Sequence, residues 1–139
     1  ILAGMHEDRL GVISMNIGTM HHDLAVRMLN DRFGIQSRGG CSCAGTYGHY
    51  LLGIDEQESA TIVDKIETGV CELKPGWVRV SIHPTTTNEE IKAICDGIIS
   101  LADIYEVWEK DYVFTDGKFR HKSQIGERSS AMKDSWFEF

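Results

Sequence analysis

Trp77-Val78-Arg79-Val80-Ser81-Ile82, followed after a short interval by Thr87-Asn88-Glu89-Glu90-Ile91, decides the fold class of this 139-residue chain. The first six residues alternate. Val78, Val80 and Ile82 point one way and Trp77, Arg79 and Ser81 the other, the period of a strand with one buried face. Lys74-Pro75-Gly76 is a turn signal just before it. Thr87 to Glu90 fits a capping box, in which the threonine hydroxyl and the glutamate carboxylate each satisfy a backbone N–H that the first helical turn leaves free. Ile91, Ile94, Ile98, Leu101 and Tyr105 continue at steps of three and four, so a long helix follows, with Glu90, Lys92 and Asp96 on its polar face. A strand feeding a helix, each apolar on one side, predicts layered α/β packing.

Upstream, Val12-Ile13-Ser14-Met15-Asn16-Ile17 alternates again, with Ile13, Met15 and Ile17 on one face. Residues 23–33 carry Leu24, Met28 and Leu29 at helical spacing, begin on an acid and meet Gly34 where a left-handed cap would sit. Residues 35–38 are short enough for a strand, 39–45 hold too many glycines and small residues for a regular element, 47–52 suit a helical turn, and 56–68 place Ile62, Val63 and Ile66 on one side of a second helix. Downstream, Tyr112-Val113-Phe114 and Lys118-Phe119-Arg120 flank Thr115-Asp116-Gly117, a hairpin signal. From Ser123 the hydrophobic pattern fades, and the stretch ending Trp136-Phe137-Glu138-Phe139 is either mobile or a strip that docks elsewhere. The expectation is an α/β domain over residues 1–122, a small sheet covered on one face by helices, with a tail over 123–139.

With 42% hydrophobic and 25% charged residues the chain has the make-up of one globular domain. A net charge of -7, with no run of Lys and Arg, argues against a nucleic-acid partner. Apolar stretches such as residues 98–102 are far too short to span a bilayer, and the opening residues lack the pattern of a secretory signal, so no membrane role and a cytoplasmic location are expected. The first methionine is Met5, which reads as a segment entered midway. Cys41, Cys43, Cys71 and Cys95 are too sparse for a disulfide framework and are read as thiols.

Chemistry concentrates in Arg38-Gly39-Gly40-Cys41-Ser42-Cys43-Ala44-Gly45-Thr46-Tyr47-Gly48-His49. Glycines let a backbone approach a ligand, and a thiol beside a cation ionises more readily than usual, which makes it a better nucleophile. The plain alternative is a surface turn with incidental cysteines. A metal or protein-interaction module is the competing function, using Cys41, Cys43 and His49 with His21, His22 or His83 as a fourth ligand. The Cys-x-Cys spacing matches no common zinc knuckle, and His21-His22 reads as a solvated helix start. Cys71 and Cys95 read as packing residues. Periodicity alone turns Arg79 to solvent, away from Val78 and Val80.

Two motifs together resemble the small domain of class V aminotransferases, especially the selenocysteine lyase and cysteine desulfurase branch: the loop from Arg38 to His49, and Trp77-Val78-Arg79-Val80-Ser81-Ile82-His83-Pro84 with Thr87-Asn88-Glu89-Glu90-Ile91. The likeness runs from about residue 10 to 119. It implies a homodimeric fold type I enzyme in which a large domain of the same parent chain carries pyridoxal phosphate on a lysine, while this domain closes over an amino-acid substrate. By that resemblance Cys43 matches the desulfurase nucleophile, which takes sulfur as a persulfide. Arg79 matches the arginine that clamps the substrate carboxylate, and Arg38 the arginine that opens the cysteine loop. The loop departs from the desulfurase pattern where Cys41 and Ser42 replace two histidines and Thr46 replaces a frequent proline. No serine-histidine-lysine cofactor signature occurs, so the chain alone is expected to lack the cofactor and to be inactive.

Overall fold

The structure, a computed structural model, describes residues 1–5, 8, 10–41, 45–68 and 74–125, with the backbone alone at 45 and 46. Nine strands and α-helices follow one another there, besides two short 3-10 turns: β1 (Val12–Met15), α1 (His22–Phe33), β2 (Arg38–Gly40), α2 (Gly45–Leu52), α3 (Glu56–Glu67), β3 (Trp77–Ser81), α4 (Asn88–Trp108), β4 (Tyr112–Thr115) and β5 (Lys118–His121). The first three strands form one antiparallel sheet in the order β1-β3-β2, and β4 and β5 form a separate hairpin. The architecture is the expected α/β one.

β3 sits in the centre, paired with β1 on one side and β2 on the other. Met15 of β1 and Val78 and Val80 of β3 share a face, and α1 covers it with Leu24, Ala25, Met28 and Leu29. Leu101 of α4 completes the core. Met28, Leu29, Val78 and Leu101 are fully buried, and burying each such side chain contributes about 1.5–3 kcal/mol. Helix α4 starts on the anticipated capping box: the Thr87 hydroxyl accepts from the Glu90 N–H and the Glu90 carboxylate accepts from the Thr87 N–H at 2.8 Å. Gly97 lets α4 lie close to the end of α1 and the residues after it, since a Cβ there would stand 2.6 Å from Ile35 Cδ1 and 3.3 Å from Phe33 Cγ.

α1 ends on Gly34 at φ 67°, as its sequence anticipates. The hairpin turns on Asp116 and Gly117, both left-handed at φ 51° and 73°, the geometry that matches strand twist in a two-residue turn. It docks on α1 through Tyr112, whose hydroxyl donates to Asp31 Oδ2 at 3.3 Å.

Four expectations change. β2 spans Arg38–Gly40 in place of 35–38, so two glycines assigned to the loop are strand residues. α2 is a full eight-residue helix where a single turn was expected. The histidine pair is not a solvated helix start: His21 caps α1 by accepting the Asp23 N–H, and His22 is only 6% exposed. Cys95 is exposed on α4, so it is not a packing residue. Cys71 lies outside the described residues. No described helix is long and apolar enough to cross a membrane.

Candidate functional site

Register builds the site. Arg79 on the central strand stands opposite Ser14 of β1 on one side and opposite Arg38 of β2 on the other. Directly opposed residues share a face and sit about 4.5–5.5 Å apart at Cα. The two guanidiniums therefore rise together from the face turned away from Val78 and the core. Trp77 and Gly40 form the next pair along that face, and Trp77 is 5% exposed. Helix α2 lies against it: a Cβ on Gly48 would stand 3.3 Å from the Trp77 ring and 3.5 Å from Cys41 Sγ.

Arg79 is half-buried, not solvated as periodicity alone suggests. Its Nε is buried and, among the described residues, has no hydrogen-bond partner; Arg120 Nε is likewise unpartnered, but that guanidinium reaches Asp116 through Nη2. Arg27, Arg32 and Arg120 all find carboxylates, whereas none of the described acids pairs with Arg38 or Arg79, in a chain with 21 acids and 14 Lys and Arg. Like charges directly opposed on a sheet repel, and a buried charged donor without an acceptor costs about 1–3 kcal/mol or more. An anion laid across the pair removes both penalties, and a planar carboxylate matches the guanidinium fork.

The cysteine loop leaves β2 beside this row and re-enters the described structure at α2. Cys43 itself lies outside the described residues. Cys41 closes the end of β2: its S–H donates to the Pro75 carbonyl at 2.7 Å, and burial raises the thiol's pKa against the opposing pull of Lys74. Cys41 is thus held protonated. His49 turns from the arginines toward α3, with Nδ1 2.7 Å from Ser59 Oγ.

His22, expected at a solvated helix start, is buried beside the site. Its ring occupies space that two glycines leave open: a Cβ on Gly39 would come within 3.0 Å of it and one on Gly76 within 2.8 Å. The ring therefore packs against β2 at Gly39 and against Gly76, the residue just before β3. Burial lowers its pKa, with Asp23 opposing.

His21, His22 and Asp23 are the one group of three ligand-type side chains brought close among the described residues, within 4.8 Å of one another. Their arrangement does not suit a metal. The two rings stack at 4.2 Å with planes 29° apart, and imidazole lone pairs lie in the ring plane, so neither ring aims at a shared point about 2 Å away. His21 Nδ1 is already engaged by the Asp23 N–H. His83 is exposed and bonded to Thr85, while Cys41 and His49 each hold another partner.

A small α/β domain with an unsatisfied arginine pair beside a cysteine-bearing loop is thus the class that fold and site define. The chain matches the family model of aminotransferase class-V over residues 2–94, more than half its length, and it belongs to that family. No curated protein and no solved structure matches it. Full-length class V aminotransferases use pyridoxal phosphate. The described residues do not fit that group: a Schiff-base lysine works from a desolvated pocket, yet Lys65, Lys74, Lys92, Lys110, Lys118 and Lys122 are all exposed. Lys92 is paired with Asp96 and Lys122 donates to the Lys110 carbonyl.

Proposed function

We propose that this chain is the small domain, residues 1–122 with a tail over 123–139, of a pyridoxal-phosphate enzyme acting on an amino acid, and that its share of the work is to grip the substrate's carboxylate. The row Ser14, Arg79, Arg38 carries the reading, because it opposes two cations and leaves a buried guanidinium nitrogen unpartnered. Arg79, central and half-buried, is the clamp. Arg38, at the edge and exposed, supports it and anchors the loop that holds Cys43. The cofactor belongs to a larger domain of the same parent, a homodimer in the cytoplasm, and supplies the electron sink for chemistry at the substrate's α-carbon. This chain's residues bind and orient the carboxylate, and Trp77 and α2 shield the clamp from water on one side.

Cys43 is the candidate nucleophile for sulfur or selenium transfer in the desulfurase branch. Its neighbour Cys41, protonated and bonded to Pro75, is unsuited to that role. The metal-binding alternative built on Cys41, Cys43 and His49 loses ground because two of its three residues are committed elsewhere.

The test is substitution of Arg79 in the full-length enzyme. Lysine, a point charge, cannot make two parallel bonds to one carboxylate, so Arg79→Lys lowers kcat/KM and Arg79→Ala lowers it further. Loss of such a charged partner costs about 2–5 kcal/mol, or roughly tens to thousands of fold at about 1.4 kcal/mol per decade. An Arg79→Ala enzyme within about twofold of wild type, a change of about 0.4 kcal/mol, refutes the clamp.

A further inference from the structure

Beside the arginine row, on the same face, lies a cavity of about 240 Å³ lined by Leu2, Val12, Ser14, Tyr47, Leu51 and Trp77. Three observations tie it to the clamp. Ser14, in its wall, is the cross-strand partner of Arg79. Trp77, also lining it, is two residues from Arg79 along β3 and so shares its face. The Leu2 N–H donates to the Ser14 carbonyl at 2.9 Å, which ties the opening segment to the far edge of β1 as a side wall. Neighbouring positions on one sheet face are about 5–8 Å apart, within reach of an amino-acid side chain whose carboxylate rests on the guanidinium.

The lining itself is selective. Among the described residues no carboxylate, ammonium or imidazole lines it, in a chain in which a quarter of the residues are charged. Apolar surface is left open there, with Val12 44% and Tyr47 61% exposed. A cationic or acidic side chain would lose hydration against Leu2, Leu51 and Trp77 and, among the described residues, meet no opposite charge to replace it. An apolar chain gains there with every methylene covered.

We infer that the ligand of this site is an amphipathic carboxylate: its carboxylate binds the Arg79–Arg38 row, and an apolar chain larger than that of cysteine fills the adjoining cavity. This rests on the carboxylate reading of Arg79 and narrows the substrate class to amino acids with sizeable apolar side chains. Such a side chain offers no thiol or selenol whose sulfur or selenium could pass to a cysteine, so the inference favours chemistry at the amino group.

The 139-residue chain can be titrated with acetate, butanoate, hexanoate and 3-phenylpropanoate, with 1-hexanol as the uncharged control, and followed by ¹H–¹⁵N chemical shifts. The expected result is affinity rising up to about fourfold per added methylene, with shifts at Ser14, Leu51 and Trp77, weak binding of hexanol, and loss of the whole series in Arg79→Ala. If acetate binds through Arg79 but longer chains bind no tighter, the cavity is not the subsite and the clamp stands. Equal binding of hexanoate to wild type and Arg79→Ala makes the cavity a greasy patch unconnected to the arginines, and overturns the inference. If no carboxylate binds at all, the clamp and the inference fall together.

Discussion

Replacing Gly76 by alanine tests the packing on which the site depends. Gly76 does not have a left-handed backbone, so alanine meets no φ strain, and by restricting the unfolded chain it would stabilise by about 0.4–1 kcal/mol in open space. The space is not open. The new Cβ would lie 2.7 Å from Gly40 Cα, 2.8 Å from His22 Cε1 and 2.9 Å from His22 Nδ1. Gly40 is backbone of the paired strand, and the buried His22 ring has the Gly39 strand on its other side. Relief requires β2 or the ring to move by about half an ångström or more, and forced overpacking of this kind costs about 1–3 kcal/mol. The balance is a destabilised protein, by about 1–2 kcal/mol, read as a lower urea midpoint with unchanged m-value. Removing the ring as well clears two of the three contacts, so His22→Ala with Gly76→Ala should be non-additive by about 0.5–3 kcal/mol. Since β2 carries Arg38, the single variant should also weaken carboxylate binding. A neutral or stabilising Gly76→Ala, or strict additivity with His22→Ala, would refute the wedge.

His22 also makes stability pH-dependent: burial depresses its folded pKa below the ordinary value near 6.5, so the unfolded chain takes up the proton first. The stabilisation is complete above about pH 6.5 and declines as pH falls through that value toward the depressed folded pKa. Urea midpoints at pH 7.5 and 5.5 should differ more for wild type than for His22→Gln, and equal differences would remove His22 from the linkage. Arg38→Gln should stabilise the unliganded chain by up to about 1 kcal/mol at low salt by relieving the like-charge pair, a gain that shrinks as salt is added; a loss of that size would mean that Arg38 has a partner. In alkylation followed by mass spectrometry, Cys41 should label more slowly than Cys43 and the exposed Cys95. Labelling of Cys41 as fast as Cys95 would sink its assignment as a protonated, structural thiol.

The elements that periodicity controls were legible in the sequence. Val78 and Val80 opposing Arg79, the capping box at Thr87 and the cap at Gly34 are local signals, and each is where the pattern puts it. What failed to show was pairing at long range. Nothing local says that Arg38 stands opposite Arg79, and two glycines within β2 disguise it as loop because a strand without side chains carries no alternation. The burial of His22 was hidden for the same reason. Its cradle consists of missing side chains at Gly39 and Gly76, far from it in sequence, and an absence leaves no hydrophobic trace. Cys95 was misread because α4 carries more apolar residues than its buried stripe needs, with Ile99 and Val107 also mostly exposed.

The arginine row shows why register matters more to function here than composition does. An acidic chain could neutralise two neighbouring arginines with one substitution, and the three described arginines outside the row are each met by a carboxylate. Only Arg79 and Arg38, fixed opposite one another by β2–β3 pairing, are left without one among the described residues. The conflict is tolerable because it lies on the face away from Met28, Leu29, Val78 and Leu101, where the core is already closed. It is also specific. A single arginine at a sheet edge attracts any anion weakly, whereas on the proposed reading a half-buried guanidinium with an unpartnered Nε, a second cation in register and an apolar wall beside them would select a carboxylate by its charge and its planar shape, and then by what the carboxylate is attached to.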